Sequence, residues 1–502
     1  MKGLLIAALI GLGLASGSAF AADLSVAAPS VVAPAPPPPV YTWTGCYING
    51  GGGYGMWKQD HYGEELTPLT QLTPTVSTGA EGWVGTVGAG CDYQAGSRWL
   101  IGAFGDYNLM SVVYGGSFQE PYWRWLGAES EQSAWAVGGR VGYLVTPKLL
   151  AYINAGYTQA RFGQIIAPAA CGAGPCFIPA HTDGGWFIGG GTEYALWDII
   201  PVHGLFWRFD YRYAVYNSAD LPILTSTGAP LTLTCTGIGA AACGEHMQKD
   251  VQTFTTGLVW RFNVDGSPSG SAFAADLPAT DAPAVRASAP PPPVYTWTGC
   301  YINGGAGYGM FEQDEYRWSS SMATGATGGE GWLGTVGVGC DYQVGSRVVI
   351  GVLADYDFMN LSGYFRDPFL GYTAKETGTE VWAVGARLGY LVTPKLLAYI
   401  NAGYAPTHFD QINFPSTPYY YPAHTNFGAC CFLGAGTEYA LGDIIPLKGL
   451  FWRIEYRYVE NGEATLPLLT TTGHSTGASI QLNKDVQTVT SGFVLRFNFS
   501  GP

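Results

Sequence analysis

The chain repeats itself, and the drift in spacing between its two copies is what most constrains its fold. "YTWTGCYINGG" begins at Tyr41 and again at Tyr295, and "YLVTPKLLAYINAGY" at Tyr143 and Tyr390. "GTEYAL" begins at Gly191 and Gly436, and "KDVQT" at Lys249 and Lys484. A unit this long is a whole domain, well beyond the roughly 20–50 residues of a solenoid repeat. The separation is 254 between Trp43 and Trp297, then 249 for both Trp83/Trp332 and Asp106/Asp355. It is 247 for Trp135/Trp382 and Tyr157/Tyr404, 245 for Glu193/Glu438 and Arg208/Arg453, and 235 for Lys249/Lys484. It therefore changes once in each of four long segments, near 57–80, 111–133, 158–184 and 214–248, and never across three short connections near 95–97, 145–148 and 197–203. Long variable connections alternating with short fixed ones are what up-and-down strands give in an outer-membrane β-barrel, with loops on one side and turns on the other. Four long and three short connections join eight strands per copy.

The strands expected in the first copy lie near 44–56, 82–94, 98–110, 134–145, 148–160, 184–196, 204–216 and 251–263. Several alternate with period two. The second offers Trp83, Val87, Ala89, Cys91 and Tyr93 to one face and Thr86, Gly88, Gly90, Asp92 and Gln94 to the other. The seventh sends Leu205, Trp207, Phe209, Tyr211 and Tyr213 one way and Arg208, Asp210 and Arg212 the other. A soluble sandwich alternates too. The discriminating detail is that Trp83 and Tyr93, Trp99 and Tyr107, Trp135 and Tyr143, and Trp186 and Tyr194 bracket one face of their strands. That spacing suits two aromatic girdles flanking a lipid-facing band.

Composition agrees. The chain has 72 Gly, 32 Tyr, 23 Phe and 16 Trp with only 12% charged residues, which suits curved strands against hydrocarbon. The net charge of −14 argues against a nucleic-acid partner. Met1-Lys2, an apolar run from Gly3 to Leu14 and Ala19-Phe20-Ala21 read as a secretory signal over 1–21, cleaved near Ala22 and too short to span a bilayer. "SGSAFAADL" at Ser16 to Leu24 returns at Ser269 to Leu277, as though the duplication began inside the signal and its scar became linker. The expected organisation is therefore a leader over 22–40, a barrel over 41–263, a Pro/Ala/Ser-rich periplasmic linker over 264–294 and a second barrel over 295–499. The Pro-rich linker, at about 3.1 Å per residue, can reach beyond a barrel's width, and each copy carries its own Pro-rich leader and closing strand, so two separate barrels are favoured. A single barrel of sixteen strands, which would enclose an aqueous channel, is the alternative.

The inward face of the first copy collects Asp92, Asp106, Glu193 and Asp210 against Arg140, Arg208, Arg212 and Arg261. The second gives Asp341, Asp355, Glu438 and Glu455 against Arg387, Arg453, Arg457 and Arg496, with Asp357 near a rim. Strand direction places Asp92, Glu193, Arg208 and Arg261 at one depth near the periplasmic end, and Arg140 and Asp210 near mid-height. Eight strands enclose a space just wide enough for side chains to fill. Charges there must pair, so the network reads as structural filling, with a gated small-solute path as the sharper alternative.

Ten cysteines in an exported chain permit disulfides and show no zinc-ligand spacing. Cys46 and Cys91 face outward near the periplasmic rim of neighbouring strands, within disulfide reach or else as two small apolar residues facing lipid, and Cys300 and Cys340 repeat the arrangement. Cys171 with Cys176, and Cys235 with Cys243, are candidates to close loop hairpins. Cys430-Cys431 stands where the first copy has Gly185-Trp186. Enzyme signals are weak. His181 and His424, both in "PAHT", are polar rim residues, and "GGGGYG" at Gly50 lies within a strand with no helix to follow, so it is no phosphate loop. No cofactor and no catalytic or metal site is expected.

"YTWTGCYINGGGGYG" at Tyr41, "RFDYRY" at Arg208 and "GLVWRFN" at Gly257 resemble the opening, seventh and closing strands of small outer-membrane barrels of alpha-proteobacteria. These are the outer membrane immunogenic protein type, related to opacity-like surface antigens. The resemblance implies an all-β eight-stranded antiparallel barrel, here in tandem, with surface loops and a structural or antigenic role. Such chains are usually one barrel and usually end on an aromatic residue, whereas here Ser500-Gly501-Pro502 follow Phe499. The expected partners are outer-membrane lipid, lipopolysaccharide and the barrel assembly machinery. The expected function is envelope integrity or surface interaction, with a small-solute porin as the alternative.

Overall fold

In the computed structural model the described residues are 43–110, 115–119, 126–167, 174–196, 200–232, 242–263, 296–317, 323–367, 371–415, 417–425, 431–442 and 445–497. The expected signal, leader and linker, together with Cys171, Cys235 and Cys430, fall outside them. The first barrel consists of β1 (Gly45–Leu66), β2 (Val76–Ala95), β3 (Trp99–Met110), β4 (Leu126–Thr146), β5 (Leu149–Phe162), β6 (His181–Ala195), β7 (Leu205–Tyr216) and β8 (Cys243–Phe262). The second consists of β9 (Gly299–Arg317), β10 (Ala323–Val344), β11 (Val348–Arg366), β12 (Thr373–Thr393), β13 (Leu396–Tyr404), β14 (Cys431–Ala440), β15 (Leu450–Thr470) and β16 (Ser475–Phe497).

Every neighbouring pair is antiparallel, and each copy closes on itself. β8 pairs with β1 from Cys46↔Phe262 to Glu65↔Cys243, and β16 pairs with β9 from Cys300↔Phe497 to Arg317↔Ile480. The eighth strand thus returns to the first and not on to the ninth, which overturns the sixteen-stranded alternative. Closure satisfies every ladder edge, the condition for a strand to cross lipid. At the short turns glycine is needed: Gly96 and Gly345 sit at φ +69° and +64°, a region that costs residues with a Cβ.

Several strands run further outward than period-two alternation suggested. β2 begins at Val76, β4 at Leu126 and β8 at Cys243. Above the girdle both faces carry polar residues, so the hydropathy signal fades while cross-strand hydrogen bonds continue. Residues of the long connections and of the outer strand ends form cores above each barrel. Ile165, Ile178, Ile223 and Met247 cap the first, and Phe365, Ile412, Tyr421 and Ile480 cap the second.

The barrels lie side by side. At the outer girdle Phe254 stacks on Tyr456 at 4.5 Å and Tyr213 meets Tyr308 at 5.3 Å between centroids. Just above, Lys58 stands 3.7 Å from Glu330. At the periplasmic end Leu149 and Tyr194 pack with Leu396, Tyr439 and Leu441. Leu149/Leu396 and Tyr194/Tyr439 are repeat-equivalent pairs, so the junction approximates a two-fold relation along the barrel axes. Tyr194 is consequently only 4% exposed: its outward face meets the other barrel and not lipid, which corrects its assignment to the girdle.

Candidate functional site in the barrel lumens

The inward side chains form three tiers. Nearest the periplasm, Trp43 closes the mouth, its Nε1 donating to the Pro147 carbonyl at 3.0 Å and its ring 4.8 Å from Phe206. Above it, Arg140 donates from Nε to Asp92 Oδ1 at 2.8 Å and from Nη1 to Glu193 Oε1 at 2.6 Å. Arg261 bridges the same two carboxylates at 2.7 and 2.6 Å, and Arg208 reaches Glu193 at 2.6 Å. Three guanidiniums therefore surround two buried carboxylates, and the Tyr47 ring lies within 4.6–5.0 Å of all three. Charge-assisted bonds to several donors offset the desolvation of such a cluster.

Arg140 thus belongs to the periplasmic tier and not to mid-height. Gly102 pairs with both Asp92 and Arg140, so the base and its acid lie on one ladder row. The middle tier holds Arg212 on Asp106 at 2.8 and 2.5 Å, and Asp210, which accepts from the Tyr152 hydroxyl at 2.5 Å. Between these tiers lies a cavity of about 40 Å³ lined by Asn49, Thr86, Asp106, Arg208, Asp210 and Arg212. That is room for about one or two waters.

The second barrel repeats the arrangement. Arg387 binds Asp341 and reaches Glu438 at 2.5 Å, Arg496 joins Asp341 and Glu438 at 2.6 and 2.5 Å, and Arg453 reaches Glu438 at 2.6 Å. Arg457 holds Asp355 at 2.6 Å and Glu455 at 2.7 Å. Asp357 is not at a rim: it is buried 3.8 Å from Arg457 and lines a cavity of about 20 Å³. Its parity with Asp355 points it inward, and at that height the lumen is still enclosed.

The outer tier was not anticipated. Lys249 Nζ lies 3.0 Å from His181 Nε2, 3.3 Å from Glu129 and 4.2 Å from the Phe162 ring centroid. In the second barrel Lys484 binds Glu376 and lies 3.4 Å from the Phe409 ring, on which His424 stacks. His181 and His424 are therefore equivalent residues inside the barrel tops. The sequence signal existed: Lys249 and Lys484 share the inward parity of Arg261 and Arg496. Burial, with Lys484 alongside, pushes the His424 imidazole down to about 2, and burial lowers Lys484 to about 8. Burial raises the Glu131 carboxyl, nearby on β4, to about 8.

Cys46 is joined to Cys91 and Cys300 to Cys340, each pair directly opposite in its ladder. Cys176 and Cys243 are each held in a disulfide bond. Cys431 is a free, exposed thiol.

Outside the lumens, the wall is oily where a soluble protein would be polar. Ile48, Val87, Ile101, Val137, Val141, Ile153 and Leu258 are half-exposed, bounded by exposed Trp83, Trp99, Trp135, Trp186, Tyr93 and Tyr107. Such a band is a bilayer contact. The outer membrane protein beta-barrel domain, as a family profile, matches residues 25–262 and again 282–497. The chain belongs to this family. It is an outer-membrane protein carrying the domain twice in tandem. The 31 kDa outer-membrane immunogenic protein of Brucella melitensis is 29% identical over 203 residues, covering 39% of this chain and 81% of that protein, and its Brucella suis counterpart matches equally. Among solved structures, the toluene transporter TodX of P. putida covers 90% of each chain at 10% identity and a TM-score of 0.27. Neisserial surface protein A covers 40% of this chain and 98% of its own at 11% identity and a TM-score of 0.23. These two scores are too low to bear on function.

Proposed function

We propose that this outer-membrane family member is a non-catalytic pair of plugged barrels that anchors and displays surface loops, contributing to envelope integrity or surface interaction. The observation that carries the reading is the filling of each lumen. A tryptophan lid, a five-residue ion cluster and a second ion tier occupy each lumen, and the cavities lined by Asp106 and by Asp355 measure only about 40 and 20 Å³. A hydrated solute needs a continuous path, whereas here Arg140, Arg261, Asp92 and Glu193 are held by mutual bonds and are at most 5% exposed. The proposal includes lipid and lipopolysaccharide around the wall, insertion by the barrel assembly machinery, export by the N-terminal signal and a periplasmic linker between the barrels.

Planar-bilayer recording on the purified full chain tests it. The expected trace is a quiet membrane. Large, stable and reproducible conductance steps would instead establish a small-solute porin.

A further inference from the structure

Among the described residues, one group outside the lumens brings metal-ligand side chains together. It lies on the outer flank of the first barrel, well above the girdle. β1 and β8 place Tyr62 opposite His246, and the short strand Ala219–Pro222 places Asp220 opposite His246 on its other side. Glu64 follows Tyr62 by one period on the same face. One ligand atom from each of Glu64, Asp220 and His246 lies within 4.8 Å of the others.

We propose that Glu64, Asp220 and His246 form a binding site for a divalent first-row transition-metal ion at the cell surface. Two independent features support this. First, Glu64 is 3% exposed and its carboxyl lies against that of Asp220, yet its Oε1 meets no hydrogen-bond donor among the described residues. A buried, unpaired carboxylate oxygen is costly, and a cation at this point satisfies it. Second, the imidazole is already fixed. Its Nδ1 lies 2.6 Å from Asp220 Oδ1, and the Tyr62 ring stacks on it at 4.6 Å and 11°. The stacked Tyr62 ring limits rotation of the imidazole, and His246 and Asp220 already meet, so two of the three ligands stand side by side.

One imidazole nitrogen and two carboxylate oxygens suit zinc or its neighbours better than calcium or magnesium, which prefer all-oxygen sites. Zinc bonds of about 2.0–2.2 Å call for ligand atoms roughly 3–4 Å apart, so only small side-chain movements are needed. Asp220 and His246 are partly open to solvent, which leaves a further coordination position facing outward. Rigid paired strands carry all three residues, a better platform than a free loop. The second copy has Trp318 and Gln481 at the positions equivalent to Glu64 and His246, so the expected stoichiometry is one ion per chain.

The test is calorimetric titration of Zn²⁺ into the untagged, chelator-stripped full chain in detergent. We expect one saturable site per chain with micromolar or tighter affinity. His246→Ala and Asp220→Asn should each weaken it about tenfold or more, with the folded gel mobility of the barrels unchanged. Both positions are partly exposed, so the test does not depend on a buried Glu64 variant folding. Absence of a saturable site in the wild type, variants that titrate like it, or calcium bound as tightly as zinc would each overturn the proposal.

Discussion

Gly79 of the first barrel and Gly328 of the second meet backbone to backbone: a Cβ on either would lie 3.0–3.3 Å from the other's Cα. The two are repeat-equivalent, so the contact sits where the approximate two-fold relation of the barrels passes. Gly79→Leu or Gly328→Leu should therefore wedge β2 from β10 while each barrel stays closed. Pulsed EPR distances between labels at Ser97 and Ser346, in a Cys430→Ser, Cys431→Ser background, should lengthen and broaden. An unchanged distribution would mean the barrels are not joined there.

The guanidinium of Arg140 is shared by Asp92 and Glu193. Arg140→Ala leaves two buried carboxylates with only Arg261 and Arg208. Removing one member of a buried ion cluster costs about 3–5 kcal/mol. Thermal melting of the detergent-solubilised protein should show this loss, and Arg387→Ala should show the equivalent loss in the second barrel. The plugged-lumen reading requires that neither variant conduct ions.

Glu131 gives a pH dependence with a definite sign. Burial, with Glu129 adding and Lys249 opposing, raises its carboxyl from 4.5 to about 8. Between those values the folded protein holds a proton that the unfolded chain has released. The stabilisation is full below about pH 4.5 and is lost as pH rises through about 8. Glu131→Gln removes that dependence and should stabilise the protein at about pH 9 by on the order of a few kcal/mol. Melting curves at about pH 5 and pH 9 check it; a wild-type and variant difference that does not grow with pH would refute it.

The Cys46–Cys91 bond closes a loop with a sequence separation of 45. Chain-entropy arguments put the stabilisation from such a cross-link at about 4 kcal/mol or somewhat less. The double substitution to serine should lower the midpoint of denaturant unfolding without changing the strand content seen by circular dichroism. Cys300 and Cys340 should behave alike.

The eight-strand topology was legible because loops tolerate length changes and tight turns do not. The drift in spacing from Trp43/Trp297 to Lys249/Lys484 therefore marks one side of the barrel. Lumen residues such as Glu193 and Arg261 were legible from parity alone. Three things were not. The register that aligns Arg140 with Asp92 through Gly102 is set between strands and leaves no local pattern. The face carrying Leu149 and Tyr194 is apolar whether it meets lipid or protein, so the sequence does not distinguish a neighbour from a bilayer. The row of Tyr62, His246 and Asp220 joins residues 184 (246 − 62) and 26 (246 − 220) apart in sequence, beyond the reach of any local pattern.

The inter-barrel ion pair has a further consequence. Lys58 faces Glu330, but the residue equivalent to Lys58 in the second copy is Glu312, beside Glu81. Two identical chains meeting through this surface would have to carry each mutation twice, once on either side. Fused in a single polypeptide, the halves are free to diverge independently, and their pairing no longer depends on how dilute the protein is in the plane of the bilayer.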